Sequence, residues 1–488
     1  MKKIIIIGTG IGGSGVGALI AKESPHEVKI FEKNDIIGGR CASYFKTDSD
    51  SREWLFDVGC HIFSTCDKGP LGEILQRCGK RLEWSYTKNP GPRVSIMGIE
   101  LSGITKSKRR KKKSSKKKKE KKNFMKFCTN TPVKDASQYN NISLIDMLNE
   151  FYGSTGNQME KIVYSMQAGV MFGCNPQTTS AGEFIRCTGD NARKMSMGYP
   201  IGGGTGIIPE KYVESIQENR GKLYINKEGQ VNKVIVDDNK VKGIEAGPDN
   251  KFYEADIVIS NSDIKTTILK LVGKKYFKKE YIKYVEDLEW GGQVCSIKVG
   301  LDEVITDQKM LTYVPKMDQA DMQGLFKDPN MDFSKIEFSE VPSKTALLVV
   351  PISNHDPKLV PKKGFQNIHA VAGTGFGKII KWSTEDEKKW KQTCYDTLLS
   401  AWPEIEDHTV ITDFISTRYL ESRFGKEGAG TGTAQSIEQV GEKRPSMVSP
   451  IEGLYYCSGD AGGWGIGTEL PARSALELWD YFQKEKIL

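Results

Sequence analysis

Apolar positions along the chain follow two registers, and the first sixty residues set them side by side. Ile4, Ile5, Ile6 and Ile7 form an unbroken β-branched run, the pattern of a parallel strand buried on both faces. A glycine-rich turn follows, then helical spacing to about Lys22, and Val28–Phe31 returns to the strand pattern. Further helices are predicted at Leu71–Cys78, Ser143–Tyr152, Lys161–Val170, Ile207–Glu218, Glu385–Ala401 and Glu469–Tyr481, with Ser143 as a capping residue. Strands are predicted within Lys222–Val236, at Val241–Ala246, Phe252–Ser260, Gln293–Val299 and Ala346–Pro351, and in the Gly453–Ser458 run. Such a mixture predicts an α/β chain.

The turn between the first strand and helix is Gly8-Thr9-Gly10-Ile11-Gly12-Gly13, a G-x-G-x-x-G spacing. In that motif the first glycine makes the tight turn, the second admits a pyrophosphate, and the third lets helix and strand pack closely. Gly15 and Gly17 each cost the helix about 1 kcal/mol against Ala, so its backbone is expected to lie close to something. Glu32 ends the second strand 19 positions after Gly13, near the spacing at which a carboxylate binds adenosine ribose hydroxyls and repels a 2′-phosphate. Directly afterwards comes Asn34-Asp35-Ile36-Ile37-Gly38-Gly39-Arg40. An NAD domain does not require that glycine pair and cation, and Arg40 suits phosphate neutralisation.

These residues, with Asp57-x-Gly59-x-His61 downstream, resemble the N-terminus of a phytoene-desaturase-like FAD oxidoreductase, in the wider group that includes amine oxidases and protoporphyrinogen oxidase. Gly202-Gly203-Gly204, Val231, the Ala255–Asp263 run and Gly459-Asp460 through Ala475 match further landmarks of that group. The resemblance implies a discontinuous, glutathione-reductase-like FAD domain of the Rossmann type, formed by 1–65, 190–265 and 436–488, and an α+β substrate domain formed by 66–189 and 266–435. It implies FAD contacts from Gly8, Gly10, Ile11, Gly12, Gly13, Glu32, Lys33, Gly39, Arg40, His61, Val231, Gly459, Asp460, Gly467 and Thr468. His61 is the one candidate for a chemical role, against a structural one. The implied reaction forms, saturates or isomerises a carbon–carbon double bond in a polyprenyl or carotenoid-like lipid. Two competitors share the fold: amine oxidation, which calls for aromatic residues flanking the flavin, and a non-catalytic escort of prenylated proteins. Trp464 and Tyr455 do not by themselves establish an aromatic cage, and Trp464 either faces the ring or packs.

With 488 residues the chain can bury two or three domains. No window resembles a transmembrane helix or a secretory signal, so a cytoplasmic protein is expected. Ten cysteines without C-x-x-C pairs predict buried thiols rather than a zinc site or disulfide framework. His355, His369 and His408 stand apart in sequence and suggest no catalytic triad or metal site.

The net charge of +8 resides in one block. Residues 106–122 hold thirteen Lys or Arg and one Glu, which leaves 57 bases against 61 acids elsewhere, a net −4. Such a block is expected to be disordered, either a solvated insertion or a contact to an anionic membrane. No aromatics are interleaved, so nucleic acid is not expected. A Met and aromatic stripe (Met147, Phe151, Met159, Met166, Met171, Phe172) suits either a core or an apolar tunnel.

Overall fold

The computed structural model describes residues 1–59, 62–88, 90–100, 123–316, 340–374 and 379–488. His61 and the 106–122 block therefore lie outside the described residues.

A five-stranded parallel sheet forms the first layer, ordered Leu454–Tyr456, Ile257–Ser260, Lys3–Ile7, Glu27–Glu32, Lys222–Ile225. The pleat of Lys3–Ile7 divides the isoleucine run between two cores. Ile4 and Ile6 pack with the Ile11–Glu23, Ile207–Glu218 and Glu469–Lys484 helices, through Leu19, Ile216 and Trp479 among others. Ile5 and Ile7 face Val234, Val236 and Ile244 of a three-stranded antiparallel layer, Val231–Asp237, Lys240–Ala246 and Lys251–Glu254. This is the Rossmann-like α/β architecture the sequence pattern predicts. Gly17 explains itself here, because a Cβ on it would stand 2.6 Å from Ile6 Cδ1 and 2.9 Å from Ile216 Cδ1.

One predicted strand is corrected. The Phe252–Ser260 run splits: Lys251–Glu254 closes the antiparallel layer with mostly exposed side chains, whereas the fully buried Ile257–Ser260 enters the parallel sheet. Ala255-Asp256 carries the chain between layers, and Asp256 accepts from the Lys3 amide at 2.8 Å.

A second sheet of seven strands runs Thr409–Ile415, Val294–Leu301, Gln366–Gly373, Leu347–Pro351, Leu311–Val314, Arg93–Ile96, Ile99–Glu100, antiparallel except where Leu311–Val314 meets Arg93–Ile96. The Thr384–Ala401 helix covers it, burying Trp390, Cys394 and Leu398 against Ile297 and Val299. Four helices, Phe124–Asn130, Leu144–Tyr152, Gln158–Phe172 and Ala181–Lys194, enclose Phe124, Tyr164 and Phe184. Ser143 caps the second of these by accepting from the Asp146 amide. Met147, Met171 and Phe172 are buried in this core, and Met159 is exposed, so the stripe is not a continuous lining. Among the described residues no helix is long and apolar enough to cross a membrane.

Asp57 joins these parts. Its carboxylate is wholly buried. It accepts from Ser43 Oγ (2.6 Å) and the Thr205 amide (2.9 Å) on one oxygen and from Tyr199 Oη (2.6 Å) on the other, while His369 Nδ1 of the seven-stranded sheet lies 3.9 Å away. Gly204, at φ +73°, turns under it, where a Cβ would stand 2.4 Å from Ser43 Oγ and 2.7 Å from Asp57 Oδ1. Replacing Asp57 with Asn keeps the shape but sets an N–H₂ against donors, so Asp57→Asn is expected to cost about 1–3 kcal/mol, read as a lowered denaturant midpoint with unchanged slope. An unchanged midpoint would show the three donors to be satisfied elsewhere.

Candidate functional site

The ends of the parallel strands converge. Gly8 follows the first strand, Glu32 ends the second, Asn261 follows Ile257–Ser260, and Cys457–Asp460 follows Leu454–Tyr456. These are the carboxyl ends, and the chain order reverses at Lys3–Ile7, which pairs with Glu27–Glu32 on one side and Ile257–Ser260 on the other. Open α/β sheets place ligands at such a switch point.

Asn261 binds the loops together. Its Nδ2 donates to Cys457 O at 2.6 Å, and its Oδ1 lies 2.4 Å from where a Gly10 Cβ would be. A Gly12 Cβ would meet Cys457 O at 2.4 Å. The Ile11–Glu23 helix starts with Gly10 at its N-cap and no side-chain cap, which leaves its first N–H groups and positive dipole end for an anion. Gly39 lies against this turn, its Cβ position 3.7 Å from Gly10 Cα, and thereby brings Arg40 alongside.

Arg40 donates from Nη1 to Thr431 O (3.0 Å) and from Nη2 to Gly425 O (3.4 Å), while its buried Nε has no hydrogen-bond partner. Burial lowers its pKa to about 10, against the pull of Asp460 and Asp263. A buried, unsatisfied guanidinium donor is costly unless an acceptor completes it, and a phosphate oxygen is such an acceptor. The residues present therefore fit a pyrophosphate.

Two expected contacts are already engaged. Glu32 Oε2 accepts from the Thr9 amide (3.0 Å) and Oγ1 (2.7 Å), and Oε1 accepts from the Asn34 amide and Nδ2, both at 2.9 Å. With four lone-pair sites filled, a ribose hydroxyl has to displace one of these donors. Asp460, fully buried, pairs with Lys426 Nζ (2.5 Å) and accepts from the Ile264 amide (3.2 Å). Lys426 and Glu427 both hold positive φ, at 57° and 51°, sparsely populated backbone of the kind that clusters at functional sites.

The other expected residues occupy varied positions. Lys33 is exposed, Val231 opens the antiparallel layer, and Gly467 and Thr468 precede the Glu469–Lys484 helix, whose N-cap is Thr468. Trp464 packs: Arg473 lies 3.6 Å and Arg186 5.6 Å from its ring centroid. Tyr455 meets Phe482 edge-on at 4.7 Å. His355 links Ser85 Oγ, 3.2 Å from its Nδ1, to Lys309 O, 3.0 Å from its Nε2, and burial drops its pKa to about 4. His408 is held by Asp302 at 3.0 Å, which raises its pKa.

Lys298 was not foreseen. It is a lone cation in the buried Val294–Leu301 strand, and that break in an apolar run is the signal that marks it. Its Nζ donates to Ser296 Oγ (2.7 Å) and Val58 O (3.4 Å), one residue from Gly59, whose amide bonds Arg40 O at 3.1 Å. Burial lowers the Lys298 pKa to about 7, opposed by Asp413, Asp57 and Cys295 and assisted by Lys46.

The model of the NAD(P)-binding Rossmann-like domain matches residues 6–78. All-trans-retinol 13,14-reductase of Danio rerio is 25% identical, over 93% of this chain and 82% of that protein. A 4,4'-diapophytoene desaturase of Staphylococcus aureus is 38% identical over 81 residues, 17% of this chain and 14% of that one. The solved structure of cyclohexylamine oxidase from Brevibacterium oxydans matches with a TM-score of 0.64 at 12% identity, covering 100% of both chains, a likeness of fold. The expected relationship to the carotenoid and retinoid oxidoreductase group is thus borne out.

Lys298 gives a pH test. Between its folded pKa of about 7 and the ordinary lysine value of 10.5 the unfolded chain binds more protons, so this group makes stability rise with pH, by at most about 1.4 kcal/mol per unit. The stability difference between parent and Lys298→Met is expected to shift in the parent's favour from pH 7 towards pH 10, followed by urea unfolding. A pH-independent difference would show that Lys298 carries the same charge in the folded and the unfolded chain.

Proposed function

We propose that the chain is an FAD-dependent oxidoreductase that forms, saturates or isomerises a carbon–carbon double bond in an apolar isoprenoid lipid. The unsatisfied buried Nε of Arg40, beside an uncapped helix N-terminus, is the observation that carries the cofactor half of this reading. The substrate half rests on the relatives, one named for all-trans-retinol and one for 4,4'-diapophytoene.

In this reading 1–65, 190–265 and 436–488 form the cofactor domain, and 66–189 with 266–435 form the substrate domain. Arg40 and the Gly8–Gly13 turn hold the pyrophosphate, Glu32 takes the ribose after exchanging a Thr9 or Asn34 donor, and Gly459-Asp460 approaches the ribityl side. FAD, when bound, supplies the hydride-accepting or hydride-donating group. The protein's work is then to place a substrate carbon against it and keep water out. Lys298 stays largely buried behind Val58-Gly59, where it holds that segment by its Val58 contact. Amine oxidation fits less well, because Trp464 is covered by Arg473 and Tyr455 by Phe482.

Purified protein is expected to carry noncovalent FAD, released by denaturation and measured by its absorbance and fluorescence. Glu32→Ala is expected to weaken rebinding by about 1–3 kcal/mol. A colourless chain that FAD cannot reconstitute would overturn the cofactor reading. Solvent extraction and mass spectrometry of the purified protein are expected to yield an isoprenoid lipid, and anaerobic mixing with retinoid or carotenoid lipids, but not with primary amines, to change the flavin spectrum. A response to amines alone would overturn the substrate reading.

A further inference from the structure

Every motif glycine of the Gly8–Gly13 turn would, as alanine, meet the same side chain. A Cβ would stand 3.5 Å from Asn261 Oδ1 at Gly8, 2.4 Å from that atom at Gly10, 2.9 Å from Asn261 Nδ2 at Gly12 and 2.8 Å from Asn261 Cβ at Gly13. Three of these positions have a second reason to be glycine. Gly8 holds φ +95°, Gly12 faces Cys457 O at 2.4 Å, and Gly13 faces Gly8 O at 2.3 Å. Gly10 has no second reason: its φ of −57° is open to any residue, and the three heavy atoms nearest its Cβ position all belong to Asn261.

Asn261 is itself fixed from three directions. Its amide donates to Ile7 O at 2.8 Å on the central strand, its Nδ2 donates to Cys457 O at 2.6 Å beyond the last strand, and its Cβ lies against Gly13. Cys457 returns the contact, its Sγ donating to Gly12 O at 3.2 Å. A side chain held this way is a template on which the glycine turn is moulded. The mould sets the direction of the first N–H groups of the Ile11–Glu23 helix, which no side chain caps and which are the anion donors of the turn.

We propose that Asn261 is a positioning residue of the dinucleotide cradle, and that Gly10 is glycine to make room for Asn261 rather than for the ligand. Donors aimed in advance bind an anion without the cost of ordering a loop. The proposal rests on the dinucleotide reading of the turn and is independent of the substrate.

Calorimetric titration of the full chain with ADP, alongside urea unfolding, tests it. ADP carries the pyrophosphate that the turn would hold and needs nothing from the rest of a dinucleotide. Asn261→Ala is expected to weaken ADP binding by about tenfold, the worth of one hydrogen bond to a charged group. Gly10→Ala is expected to do the same in the parent, where its methyl displaces Asn261, and to add nothing in the Asn261→Ala background, where the space is free. Gly13→Ala is expected to weaken binding in both backgrounds, since Gly8 O still blocks it. Asn261→Ser carries the same test should Asn261→Ala not unfold cooperatively. If Gly10→Ala weakens binding by about another tenfold in the Asn261→Ala background, the glycine serves the ligand directly and the proposal fails. If Asn261→Ala lowers the urea midpoint but leaves the ADP dissociation constant unchanged, the residue is a structural brace and the proposal fails. A parent that binds neither ADP nor FAD would bring down the dinucleotide reading and this proposal with it, whereas a parent that binds ADP while its variants bind equally well brings down this proposal alone.

Discussion

A buried carboxylate with more than one donor fixes geometry in a way that apolar packing does not, because each donor must arrive at its own angle. Asp57 has Ser43, Tyr199 and Thr205 as donors, drawn from a hairpin, a strand and the glycine turn that returns the chain to the parallel sheet. Burial pushes its pKa up, and those hydrogen bonds oppose the shift. The same residue precedes Val58 and Gly59, whose backbone meets Lys298 and Arg40. The seam between the two sheets and the candidate cofactor pocket therefore share one anchor.

A second electrostatic knot lies at the ends of the strands. Arg40, Lys426, Asp460 and Asp263 share a small buried volume, where burial lowers the pKa of both cations while the two acids pull them up. The two cations and two carboxylates balance formally, so what remains for an incoming anion is the unfilled Arg40 Nε donor and the uncapped helix N–H groups, not surplus charge. Buried ion pairs of this kind contribute little net stability, since desolvation offsets most of the Coulomb gain. Their value here is orientation: the Lys426 pair holds Asp460 in place.

Much of this was readable in the residues. The isoleucine run, the glycine spacing and the Ile207–Glu218 helix follow from local periodicity, which tertiary packing reinforced rather than overrode. The Phe252–Ser260 strand misled because two short apolar stretches in different layers read as one. What sequence could not supply were contacts made by distant segments: Asn261 with Cys457, Lys426 with Asp460, and Lys298 with Val58. Each joins residues far apart along the chain, so no local pattern encodes it. The Glu32 carboxylate illustrates the other limit, because its spacing marks a ribose ligand while its actual donors are its neighbours Thr9 and Asn34.

The parallel sheet also imposes an order of assembly. Its central strand pairs early with residues 27–32, yet its neighbour on the other side comes from residues 257–260, which in turn pair with 454–456. Ile5 and Ile7 need the strands after residue 230 to bury them, and Ile4 and Ile6 need the last helix. The apolar strand therefore stays unfinished until segments far along the chain are in place, and long-range parallel pairing of this sort is slow to close and prone to aggregate.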